Sequence, residues 1–210
     1  MIVHIRCRIV LLLMLLGIVA TAGGCVSDKN IQASSGDQVV HFTLGIIQGG
    51  RKIPIRNRRA ALEKKPFTLV FHFSQLGSML VQASFGPELI DRAMRGDRLD
   101  QLLGEDSRIS EEPMNPDEIL QISDSGRYHN WLYLGPEIHR FDRGGVKKVR
   151  QGGYVCRRTV SRLFIGRREI PVEKCPKDSI YMLFVKTQRS AGSGRRGELQ
   201  RDWVELNFLP

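Results

Sequence analysis

The chain has 210 residues and carries 32 lysines and arginines against 22 aspartates and glutamates, a formal net charge of +10 at neutral pH. A chain of this length is expected to form one medium-sized domain with a real core. The basic balance favours anionic partners. It does not predict nucleic-acid binding, because no groove-reading helix or cluster of stacking aromatic residues accompanies the basic residues.

The first twenty-five residues have the order of a secretory signal. Arg6 and Arg8 precede an uncharged and mainly apolar run over residues 9–22, and small residues and Cys25 follow. Residues 22–25 (AGGC) resemble the lipobox of bacterial lipoproteins. Two alternatives stay open: cleavage at the A-x-A pattern of residues 20–22 would release a soluble product, and an uncleaved segment would remain as a membrane anchor.

The lipobox resemblance implies a location and a domain organisation. Residues 1–24 would be the signal peptide, and Cys25 would be diacylated, so that the lipid anchors the protein in the membrane of the cell envelope. Val26 and Ser27 are not the aspartate that retains such lipoproteins in the inner membrane. The resemblance therefore implies the outer membrane, with the protein facing the periplasm. Residues 25–37 would form the lipidated N-terminus and a polar tether, and residues 38–210 a single β-rich domain.

The domain shows period-two alternation of apolar and polar residues in many short segments. This pattern predicts strands, separated by glycine-rich turns. The predicted strands cover residues 39–47, 67–73, 78–85, 119–122, 127–134, 146–150, 154–164, 169–173, 180–187 and 203–209. A short helical turn is possible in residues 56–65. Pro87 followed by acidic residues opens a short helical insertion near residues 87–103. The sequence therefore predicts a mainly β fold, a β-sandwich or small barrel.

Two of the four cysteines fall in the mature domain. Cys156 and Cys175 form an even pair in a compartment that permits disulfides, so we expect a disulfide between them. The rival hypothesis is a metal site, but neither cysteine has a C-x-x-C partner and no histidine follows His139. No metal and no other cofactor are expected.

Charge is distributed unevenly along the chain. Residues 86–124 have a net charge of −7, and residues 140–168 have a net charge of +9. Outward strand positions are normally charged, so solvated surfaces would explain both segments. The sharper interpretation is a basic binding face that includes Arg150, Arg158 and Arg162, with Arg157 on the opposite side of its strand.

The known nucleophile motifs of hydrolases are absent from the sequence. We therefore expect a protein that is not an enzyme and that acts as an interaction or assembly module with an envelope protein partner. The layout of residues 67–85 followed by 87–103 is similar to the outer-membrane lipoprotein of type VI secretion systems, which implies a part in a secretion or assembly machine.

Two other functions stay open. Binding of peptidoglycan, glycan or anionic lipid would use aromatic residues such as Trp131, Tyr133 and Tyr154. A periplasmic hydrolase would use His129 or His139 with a carboxylate.

Overall fold

The computed structural model describes residues 39–98, 118–123, 130–134, 146–150, 152–189 and 196–210. Two short helical elements lie in these ranges, α1 (Glu88–Met94) and a 3₁₀ turn (Val172–Lys174). The strands are β1 (Phe42–Gln48), β2 (Arg51–Ile53), β3 (Arg59–Glu63), β4 (Phe67–Phe73), β5 (Gly77–Ser84), β6 (Ile119–Ile122), β7 (Asn130–Leu134), β8 (Val146–Lys148), β9 (Tyr154–Val160), β10 (Arg162–Ile165), β11 (Arg168–Pro171), β12 (Ser179–Arg189) and β13 (Arg196–Leu209).

The strands form three sheets. Sheet A has the order β2-β1-β4-β9-β8, sheet B the order β3-β13-β12-β5-β7, and sheet C the order β11-β10-β6. Sheets A and B enclose the main core, where Phe184 of sheet B makes edge contacts with Phe71 and Phe42 of sheet A at ring-centroid distances of 5.5 and 6.5 Å. The predicted fold class, mainly β with a sandwich architecture and a short helix, is confirmed.

Helix α1 covers the other face of sheet B. Its apolar side, formed by Leu89, Ile90 and Ala93, packs against Leu183 and Val185 of β12. The helix thus lies within the predicted insertion near residues 87–103. The part of that insertion from residue 99 onward lies outside the described residues.

A side chain from β13 satisfies the C-terminal end of α1. The Arg201 guanidinium donates to the carbonyl oxygens of Ala93 and Asp97 at 2.6 and 2.9 Å. Helix ends leave carbonyl groups without intrahelical partners, and a cation is favourable there. The short helix is therefore held in place by β13.

Residues 56–65 form a turn and strand β3, so the helical turn predicted as an option for this segment is wrong. Arg56 and Arg59 exchange backbone hydrogen bonds of 2.9 Å across a two-residue turn, in which Asn57 and Arg58 have φ of 49° and 62°. Non-glycine residues rarely adopt these angles. Arg58 is held there by Asp202, 2.6 Å away. Strand β3 pairs in parallel with β13, a distant segment that local propensity could not reveal.

The strand predicted over residues 154–164 is two strands in two sheets. The break falls at Ser161, whose N–H donates to the carbonyl oxygen of Glu118 at 3.0 Å. Strand β9 continues sheet A, whereas β10 pairs in parallel with β6 in sheet C. The alternation of side chains passes through the break, so the sequence pattern does not show it.

Two glutamine side chains join the edges of sheets A and B. Oε1 of Gln200 accepts hydrogen bonds from the N–H groups of His41 and Phe42 at 2.7 and 2.9 Å, and its Nε2 donates to the Phe42 carbonyl at 3.0 Å. At the other end of β1, the Gln48 amide accepts from the N–H of Glu63 at 2.8 Å and donates to its carbonyl at 3.0 Å. Each amide pairs with the backbone as a strand residue would.

Asn130 joins sheet B to sheet C in the same way. This residue begins β7 and is only 1% exposed. Its Oδ1 accepts from the N–H of Gln121 at 2.9 Å, and its Nδ2 donates to the carbonyl oxygens of Gln121 and Val81 at 3.1 and 3.2 Å. All of these groups are buried or half-buried, and the folded state would be destabilised if any of them were left without a hydrogen-bond partner.

A lysine is buried at one end of the core between sheets A and B. Lys186 of β12 is 0% exposed, and its Nζ donates to the Leu76 carbonyl at 3.1 Å and lies 5.6 Å from the centre of the Phe73 ring. Gly77 makes room for it, because a Cβ atom there would lie 2.5 Å from Nζ. Burial lowers the pKa of Lys186 to about 8.

Replacing the Asn130 amide by a carboxylate should destabilise the protein strongly. In Asn130→Asp the donors to two carbonyl oxygens are lost and a charge is placed in a buried position, so we expect the free energy of unfolding to fall by about 3 kcal/mol or more. The matched control is Gln188→Glu on the exposed end of β12, which should change it by less than about 0.5 kcal/mol. Urea unfolding followed by circular dichroism measures both. Equal effects of the two variants would contradict the role given to Asn130.

Replacing Lys186 by methionine should stabilise the protein at neutral pH, by up to about 3 kcal/mol for a pKa lowered from 10.5 to about 8. Between these two values the unfolded state binds the extra proton, so the wild type gains stability as the pH rises. The difference in the free energy of unfolding between the variant and the wild type should therefore shrink as the pH rises from about 8 towards 10.5. Urea unfolding over this range measures it. An advantage that is independent of pH, or one shared by the exposed Lys177→Met, would contradict this account.

Candidate interaction surface

The outer face of sheet A is built by the residues that alternate with its core residues. Along β4, for example, Leu69 and Phe71 point into the core, so that Val70 and His72 belong to the outer face. The strand register extends this face across the whole sheet. The outer face of sheet A consists of Thr43, Gly45, Ile47, Lys52, Thr68, Val70, His72, Lys147, Val155, Arg157 and Thr159.

This face is basic and partly open to solvent. Lys52, Lys147 and Arg157 are exposed on it, as are Thr43 and His72. None of the described residues that form the face is acidic. Between the basic residues lie small or β-branched side chains, which give a sheet surface of low relief. Such an arrangement favours a partner with a flat, negatively charged surface.

Short, lysine-bearing strands form both edges of sheet A. Strands β2 and β8 have three residues each, and Lys52 and Lys147 lie at their centres. Short edge strands that carry lysine discourage uncontrolled pairing with other strands. The edges of sheet A are therefore protected, whereas its basic outer face is available for binding.

The structure does not bring the three predicted basic residues together on one face. Arg158 lies opposite Leu69, which points into the core. Its side chain is half-buried, and burial lowers its pKa to about 10. Arg162 lies in sheet C, where it forms an ion pair with Glu169. Arg150 is exposed in the turn between β8 and β9. It is Arg157, placed on the other side by the sequence analysis, that lies on the outer face of sheet A.

The predicted disulfide is not formed in the structure. Cys156 and Cys175 are both free thiols, and both are buried. Cys156 points into the core from β9, opposite Phe71, and burial raises its pKa to about 12. Cys175 follows the 3₁₀ turn, and burial also raises its pKa. Compartment and an even cysteine count favoured the bond, but neither of them reports the distance between two residues.

Several other predicted site residues cannot be placed. Cys25, His129 and His139 lie outside the described residues, as do the side chains of Trp131 and Tyr133. Tyr154 is half-buried and packs against the main core, so it does not offer its ring as an open platform.

The described residues also lack a metal-binding cluster and a membrane-spanning helix. Within the described ranges, no group of three or more histidine, cysteine, aspartate or glutamate side chains could hold a metal ion. None of the helices in the described part of the chain has the length and the hydropathy that crossing a bilayer requires.

The buried thiols should be unreactive in the folded protein. Because thiolate is the reactive form and burial raises both pKa values, iodoacetamide should label Cys156 and Cys175 only after unfolding. Intact mass before and after denaturation, without reductant, measures the labelling. A mass that is lower by two hydrogens, with no labelling after denaturation, would show that a disulfide forms after all.

No protein-family model, no curated protein and no solved structure matches this chain.

Proposed function

We propose that the protein is a lipid-anchored, non-catalytic interaction module of the bacterial cell envelope, which binds a partner through the outer face of sheet A. The observation that carries this proposal is the basic, acid-free character of that face, on which Lys52, Lys147 and Arg157 are exposed. The partner that fits is an envelope protein with an acidic surface, as electrostatic complementarity requires. The protein would face the periplasm from the outer membrane.

The lipid anchor rests on the sequence of the first twenty-five residues. The basic start, the apolar run and the AGGC segment at residues 22–25 support acylation of Cys25. The polar residues up to position 37 would form the tether to β1. This arrangement would hold the domain within a few tens of ångströms of the membrane, since an extended residue spans about 3.5 Å.

The alternative of glycan or peptidoglycan binding has less support. Such ligands are bound by exposed aromatic rings, and among the candidate rings Tyr154 packs against the core. Anionic ligands remain compatible with the exposed basic residues of sheet A.

The anchor and the binding face should both be detectable in protein purified from membranes. Intact mass should show a chain that starts at Cys25 and carries a diacylglyceryl increment, which Cys25→Ser loses. Mild cross-linking before purification should capture a partner protein. Arg157→Glu should reduce this capture at least about tenfold, because it opposes an acidic surface with a new negative charge.

The matched control is Arg168→Glu, which makes the same charge change at an exposed position of β11 and should leave the capture unchanged. A chain that starts at Gly23 without lipid would refute the anchor. Equal capture by the Arg157 and Arg168 variants would refute the binding face.

A further inference from the structure

One end of the sandwich is defined by the point where the chain enters β1. The register aligns Phe42 with Phe73, Phe73 with Tyr154, and Tyr154 with Lys148, so these residues lie across sheet A at the same end. Beyond this line lie the residues before β1, the turn between β4 and β5, the turn between β8 and β9 and, in sheet B, the paired ends of β12 and β13. We call this the entry end.

Two exposed apolar side chains precede β1 at the entry end. Val39 is 69% exposed and Val40 is 52% exposed, and they are among the few large apolar side chains of the described residues that are more than half open to solvent. They lie just after the segment that leads back to Cys25. Apolar side chains at this point are suited to contact with the interface of a bilayer.

Basic side chains stand at the same end. Lys148 and Arg150 are exposed in and before the turn between β8 and β9. The turn is held firmly, because the N–H of Val149 donates to the Gly153 carbonyl at 3.0 Å. A Cβ atom at Gly153 would lie 2.4 Å from the carbonyl oxygen of Phe73. The turn is thus packed against the end of β4, and this contact fixes the position of Arg150.

At the opposite end of the sandwich, the lysines next to β3 have acidic partners. There, Lys64 pairs with Asp178 at 2.8 Å and Lys65 pairs with Glu63. At the entry end, by contrast, no ion pair of Lys147, Lys148 or Arg150 is formed within the described part of the chain. Lys148 and Arg150 are therefore exposed without a counter-ion among the described residues.

We propose that the entry end docks on a membrane surface of anionic lipid headgroups. The inference rests on the proposed lipid anchor, which would bring this end to the membrane because the tether runs directly into it. Lys148 and Arg150 would bind lipid phosphates, and Val39 and Val40 would contact the interface between headgroups and acyl chains. Charge complementarity and exposed valines at the point of tether attachment together select a lipid surface as the occupant.

This docking sets the orientation of the domain. Strands β1, β4 and β9 all run between the two ends, so they would stand away from the membrane surface, with Leu209 at the far end. The outer face of sheet A would then point sideways along the membrane. It would remain free for a protein partner while the entry end is occupied by lipid.

The test places a fluorescent probe at each end of the lipid-anchored protein in vesicles. Val40→Cys labels the entry end, and Leu209→Cys, a position 51% exposed, labels the opposite end. The buried Cys156 and Cys175 do not compete for the probe, and Cys25 carries the lipid. Nitroxide-labelled headgroups should quench the probe at position 40 but not at 209 in vesicles that contain phosphatidylglycerol. In phosphatidylcholine vesicles the quenching at position 40 should be weak.

Charge reversal completes the test. Lys148→Glu with Arg150→Glu should reduce the quenching at position 40 to the level at 209. The control, Lys174→Glu with Lys177→Glu, makes the same change in net charge at exposed positions away from the entry end and should leave it intact. Equal quenching in the two lipids, equal quenching at the two positions, or no effect of the first charge reversal would overturn the docking.

Two further outcomes distinguish a failure of the proposed lipid anchor from a failure of the proposed membrane docking. If no lipid increment is found by mass, the anchor fails, and headgroup contact is read instead from salt-sensitive co-sedimentation of the unlipidated chain with phosphatidylglycerol vesicles. If position 40 is never quenched but Lys148→Glu with Arg150→Glu abolishes capture of a protein, an acidic protein occupies the entry end, and the lipid proposal is overturned.

Discussion

The sandwich depends on side-chain amides that take the place of missing strand pairs. Sheets A and B do not share backbone pairing at β1, and the amides of Gln200 and Gln48 connect its two ends to sheet B. Asn130 connects sheet B to sheet C by the same chemistry. An amide carries a donor and an acceptor in one plane, so it can satisfy both backbone groups of one residue. These contacts join the three sheets beside the apolar core that sheets A and B share.

Local alternation was enough to predict the strands with one buried face. The alternation in residues 67–73 matches β4 at both ends, because every second residue of that strand faces the core. Pairing between distant segments was not predictable. Strand β3 depends on parallel pairing with β13, and the break at Ser161 depends on a backbone bond to Glu118. Neither partner is close in sequence, so periodicity carried no information about them.

For the candidate surface, the charge was likewise predictable from the sequence, whereas the face on which each side chain lies was not. The count of charges identified the basic segment that includes β8 and β9, but the face of each arginine depends on the register with β4. Because Leu69 points into the core, its neighbour Arg158 must do so too, and Arg157 points outward. A shift of one residue moves every side chain to the other face. Arg150 is basic in the sequence, while its place at the same end of sheet A as the start of β1 follows only from the alignment of four strands.

The contacts of β13 also determine the order in which the fold can be completed. Gln200 bonds to His41 across 159 residues of sequence, and β3 pairs with the C-terminal half of the same strand. A chain made from its N-terminus therefore holds β3 without its strand partner, and the start of β1 without the Gln200 amide, until β13 has been synthesised. Such long-range closure slows folding and leaves strand edges open to aggregation meanwhile. A nascent chain of this protein is accordingly exposed to association with its neighbours until β13 emerges from the ribosome.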